Sequence, residues 1–141
     1  DRWRKLSPGA TAPNISLQDS NGKAMYLKDL RGKFLYIYVW ASSYGDMDKE
    51  VQAEWKKLVE EYKDNNILFA TFCMGSSQWL GQVKNLPGEH YVVNNTYAFY
   101  SRYMVTVMPR YMLIDPEGRI VDVDAPKPSS SAKLLLRSVG L

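Results

Sequence analysis

Phe34-Leu35-Tyr36-Ile37-Tyr38-Val39-Trp40, continued by Ala41-Ser42-Ser43-Tyr44-Gly45-Asp46-Met47, is the stretch that decides how this chain folds. An unbroken apolar and aromatic run suits a strand covered on both faces, the setting of a central strand in an α/β sheet. After the polar break the period changes. Met47, Val51, Trp55, Leu58, Val59 and Tyr62 fall on one helical face, which predicts a helix over Met47 to Lys63. Ser43 and Asp46 have the spacing of a capping box, and Asp46 and Asp48 suit the positive end of the helix dipole. Asn65-Asn66 closes the helix, and Ile67 to Cys73 predicts a second buried strand. With the usual right-handed crossover the two strands are parallel and adjacent.

Working outward, residues 1–13 read as an irregular lead-in. Asn14 to Leu17 and Ala24 to Leu27 predict a hairpin around Asp19-Ser20-Asn21-Gly22, with Lys28 to Gly32 as connector. Ser76-Ser77 has the chemistry to cap a short helix carrying Trp79, Leu80 and Val83, which Pro87-Gly88 stops. Tyr91 to Val93 reads as a brief strand and Thr96 to Tyr103 as a helix. Arg110 to Ile114 and Arg119 to Val123 flank Asp115-Pro116-Glu117-Gly118, whose proline and glycine suit a type I turn between hairpin strands. Lys133 to Val139 is a closing helix.

At 141 residues the chain is read as one domain spanning 1–141, with 1–8 as lead-in. The start at Asp1 reads like a cut or processed end of a longer polypeptide. A net charge of +3 with scattered Lys and Arg argues against a nucleic-acid partner. No apolar run is long enough to span a bilayer, so no membrane contact is expected of this domain. One cysteine, Cys73, leaves no internal disulfide and no zinc pattern. The only histidine, His90, follows Pro87-Gly88 and is expected at the surface or a strand edge; no metal or cofactor is implied.

Three stretches carry a family resemblance. The first is Gly9-x-x-Ala12-Pro13-x-Ile15-x-Leu17 with Gly22-Lys23 and Leu27-x-x-Leu30-x-Gly32-Lys33. The second is Val39-Trp40-Ala41 leading into the helix with Glu50. The third is Tyr103-x-Val105-x-x-x-Pro109-x-x-x-Leu113-Ile114-Asp115-x-x-Gly118-x-Ile120. In this order they resemble the thioredoxin-like superfamily, in particular its TlpA/ResA branch near the AhpC/TSA redoxins. The resemblance implies an α/β three-layer sandwich: a central mixed sheet of four or five strands flanked by helices, with an N-terminal β-hairpin.

That family works through W-A-x-x-C-x-x-C, and here Tyr44 and Met47 occupy the two cysteine positions. A phenol and a thioether cannot cycle between dithiol and disulfide. Tyr38 stands where thioredoxins often keep a buried Asp. By the same resemblance Met108–Pro109 is a cis bond facing the vacated loop, and Trp40, Tyr44, Met47, Met108 and Pro109 line a groove suited to an extended peptide or partner protein. These residues imply a redox-inactive binding or structural module, and the resemblance to the TlpA/ResA branch implies that it belongs to an exported, periplasmic-type protein. The alternative is an oxidoreductase acting through lone Cys73 or through a partner's thiols. The oligomeric state is left open.

Overall fold

The computed structural model describes residues 4–75 and 79–141, without the side chains of Arg4 and Tyr44. Its strands are β1 (Ser16–Asp19), β2 (Ala24–Tyr26), β3 (Phe34–Trp40), β4 (Ile67–Met74), β5 (Glu89–Val93), β6 (Arg110–Ile114) and β7 (Ile120–Ala125). Its helices are α1 (Lys49–Glu61), α2 (Trp79–Val83), α3 (Thr96–Tyr103) and α4 (Ser130–Ser138). One mixed sheet has the order β2-β1-β5-β4-β3-β6-β7.

β3 is flanked on both edges. It runs parallel to β4 from Phe34↔Ile67 to Trp40↔Cys73, as the β-α-β pattern requires, and antiparallel to β6 from Leu35↔Ile114 to Val39↔Arg110. Alternation along the strand feeds two cores. Leu35, Ile37 and Val39 join Phe72 with Phe99 and Tyr103 of α3. Tyr36, Tyr38 and Trp40 join Trp55 and Leu58 of α1 and Leu136 of α4. Helices thus cover both faces, giving the three expected layers.

The sheet has seven strands, not four or five. The N-terminal hairpin does not stand apart, because β1 pairs antiparallel with β5 through Leu17↔Val93 and extends the same sheet. The long helix also starts later than its apolar stripe. Asp48 is the N-cap, its Oδ1 accepting the Glu50 N–H at 2.8 Å, and the Ser43–Asp46 box does not form. Ser42–Tyr44 makes a 3₁₀ turn instead, closed by Gly45 at φ +86°. The proposed Ser76-Ser77 cap lies outside the described residues. The Asp115–Gly118 turn closes through Gly118 N–H to Asp115 O at 3.0 Å, with Asp115 Oδ1 accepting from Glu117 and Arg119 N–H. Among the described residues no helix is long and apolar enough to cross a membrane.

Trp55 locks α1 to the sheet. Its ring meets Tyr36 and Phe69 at 5.9 and 5.7 Å, and its indole N–H donates to Pro87 O at 2.7 Å. That bond needs the chain to turn sharply at Gly88, whose φ is +112° and where a Cβ would fall 2.6 Å from Phe69 O. Gly88→Ala is therefore expected to cost about 2 kcal/mol or more in urea unfolding. Gly81→Ala, inside α2 with no atom within 4 Å of the new Cβ, should gain about 0.5–1 kcal/mol. Similar losses in both variants would contradict this account of the turn.

Candidate functional site

A cleft of about 460 Å³ opens between the end of β3, the entry to α1 and the turn before β6. Trp40, Met47, Met108 and Pro109, four of the five groove residues expected from the sequence, line it together. Each arrives by a separate route: Trp40 as the last residue of β3, Met47 just ahead of the α1 cap, Met108 and Pro109 on the approach to β6. The Met108–Pro109 bond is cis, as expected. The side chain of Tyr44 lies outside the described residues; its backbone ends the 3₁₀ turn.

The floor is aromatic. Tyr38 stacks on Trp40 with centroids 6.1 Å apart and planes 3° from parallel, and on Tyr111 at 5.2 Å and 24°. Burial first, then the neighbouring Cys73 and Asp46, push the Tyr38 phenol up to about 12. It stays neutral at any physiological pH, so it supplies no anionic proton acceptor. The Trp40 indole N–H is buried without a hydrogen-bond acceptor among the described residues, a costly arrangement for a polar group.

Cys73 is not part of the cleft. It faces Trp40 across the β3–β4 register and is 0% exposed within the same aromatic core. Burial raises its pKa, and hydrogen bonds from Ser42 only partly oppose this. A buried thiol held above its ordinary pKa is a poor nucleophile.

A larger hollow, about 790 Å³, lies elsewhere, between the β1–β2 hairpin and α3. Among the described residues no cysteine, histidine or carboxylate lines it, and the Arg102 guanidinium there already donates to Asn14 O at 2.7 Å. The smaller cleft carries the more distinctive chemistry.

His90 is the second residue of β5 and is half-buried; it pairs with Thr71 of β4, just beyond the last residue that β5 pairs with β1. Its ring bridges Thr71 Oγ1 at 2.7 Å and Leu86 O at 2.8 Å. Since a carbonyl only accepts, Nε2 carries the proton and Nδ1 accepts from the threonine hydroxyl. Thr71 and His90 are cross-strand partners, which no local sequence pattern reveals.

A mixed sheet around a parallel β-α-β unit, with a cis-proline facing the entry to its helix, defines a thioredoxin-like protein. The chain belongs to the Redoxin family, whose profile matches residues 7–135. Thiol-disulfide oxidoreductase ResA of Bacillus subtilis (strain 168) is 28% identical over 84% of this chain and 67% of its own length. A putative thiol-disulfide oxidoreductase of Bacteroides vulgatus has a crystal structure with TM-score 0.79 and 26% identity, covering 97% of this chain and 99% of that one. The solution structure of a putative thiol-disulfide oxidoreductase from the same species gives 0.74 at 29%, over 95% and 91%. The chain is thus homologous to ResA/TlpA-type thiol-disulfide oxidoreductases.

Burial lowers the pKa of His90, outweighing its bond to Leu86 O and the charge of Glu89. The folded state then holds fewer protons than the unfolded chain once pH falls below about 6.5. This contribution to stability is complete above that pH and declines as pH drops toward the depressed folded value. Urea unfolding at pH 7.5 and 5.5 should show a loss at the lower pH that shrinks in His90→Gln. An identical pH dependence in both proteins would contradict it.

Proposed function

We propose that this domain is a redox-inactive member of its family that uses the cleft beside Pro109 to hold an extended peptide or a partner protein. The observation that carries the reading is the pairing of an intact groove with an absent couple. A dithiol–disulfide cycle needs two sulfurs that approach each other, and this chain has one cysteine, fully buried. The start of α1 at Lys49 adds support. Positions 44–47 precede the helix cap, so they lie outside the turn whose N–H groups would stabilise a thiolate.

Binding is favoured by the state of the segment before β6. Val107 is 71% exposed, and among the described residues neither the N–H nor the C=O of Val107 or Met108 has a hydrogen-bond partner. Free backbone groups beside an apolar cleft suit strand addition by an extended chain, and methionines give the walls an adaptable surface. Membership of an exported, periplasmic-type protein rests on the likeness to the TlpA/ResA branch.

The competing reading, an enzyme working through Cys73, would need that thiol to reach solvent. With Ellman's reagent the native protein should react far more slowly than the unfolded chain, which should release one equivalent of thiolate. In the dithiothreitol-driven insulin assay, precipitation should match the blank. Rapid native titration together with faster precipitation would overturn the inactive reading.

A further inference from the structure

We propose that the occupant of the Pro109 cleft is an extended peptide segment bearing a lysine or arginine, whose cationic head meets Asp46, Asp48 and Glu50. This presupposes that the cleft binds peptide at all and adds which peptide it prefers.

The charge pattern is the first reason. All three carboxylates are exposed and line the same cleft, whose only basic lining residue among those described is Lys127. That runs against a chain of net charge +3. None of the three belongs to an ion pair among the described residues. Helix capping accounts for Asp48, and Glu50 sits in the first turn of α1, where the dipole favours an acid. Neither reason covers Asp46. It precedes the cap and makes no hydrogen bond among the described residues, leaving its carboxylate facing solvent at the cleft.

The second reason is the match to a long basic side chain. Such a side chain has an apolar stem and a charged tip that seeks a polar partner. Met47, Val51 and Met108 offer the stem an apolar wall, and the acidic rim offers the tip a counter-charge. The backbone of Val107 and Met108, which has no hydrogen-bond partner among the described residues, then supplies the main-chain half of the contact. An acidic segment would meet three like charges, and a purely apolar one would leave the rim unmatched.

The test is an NMR titration of the 141-residue chain with capped octapeptides of alternating threonine and valine. One carries a central lysine; its counterparts carry norleucine, which keeps the stem and drops the charge, or glutamate. The lysine peptide should shift the Val107 and Met108 amides and bind at least about fivefold tighter than the norleucine peptide at low salt, as a few partly screened ion pairs allow. That advantage should shrink in high salt. In the Asp46→Asn/Glu50→Gln double variant, which keeps Asp48, it should fall by at least half while norleucine affinity holds within about twofold. Both substitutions are at exposed positions, and the amide spectrum itself reports whether the variant is folded. Equal binding of lysine and norleucine peptides at those amides would overturn the cationic preference and leave the groove reading standing, as would tighter binding of the glutamate peptide. If no peptide shifts them, both readings fall.

Discussion

The two-sided burial of β3 is the constraint on which the rest of this structure depends. A strand paired on both edges and covered on both faces has no solvent-facing side, so all but one of its residues are buried. Its even- and odd-numbered side chains then belong to different cores. Leu35, Ile37 and Val39 hold α3, while Tyr36, Tyr38 and Trp40 hold α1 and α4. A one-residue slip in the β3–β4 register would exchange these sets and break both layers. The Tyr36 hydroxyl extends the control further, donating to Pro126 O at 2.6 Å and tying the chain after β7 to the same strand.

The cleft inherits its character from that strand. Because Trp40 is the last residue of β3, its ring ends the stack of Tyr36, Tyr111 and Tyr38 where the chain leaves the sheet for α1. The site's floor is therefore the open end of an aromatic core. A carboxylate at position 38 would relay protons there; a phenol pushed up to about 12 does not. Cys73 lies beside Trp40 across the ladder, inside the core rather than at its mouth. The same packing that stabilises the sheet thus keeps the lone sulfur out of the cleft.

Much of this was legible because it is local. Strands β3 and β6 and helix α3 have the bounds that their own stretches of sequence predict, and the landmarks from Gly9 to Ile120 carry the family and the groove. Non-local pairing was hidden. Nothing in Asn14 to Leu17 says that Leu17 will meet Val93, so the hairpin's union with the main sheet, and the count of seven strands, escaped. The hydrogen bond of His90 escaped for the same reason, since its Thr71 partner comes from a neighbouring strand. The start of α1 was misjudged through competition between caps. Ser43 and Asp48 are both good N-cap residues, and Gly45 at φ +86° interrupts the backbone so that only the later one leads into the helix.

The central claim is that residues 44–47 are the vacated redox position of a thioredoxin-like domain. It is tested most directly by putting the sulfurs back. In the Tyr44→Cys/Met47→Cys variant, mass spectrometry after mild oxidation of the folded protein should find a disulfide between positions 44 and 47, with Cys73 still a free thiol. A folded variant in which the two introduced thiols remain unpaired, or in which either pairs with Cys73 instead, would contradict the placement and with it the reading of this cleft.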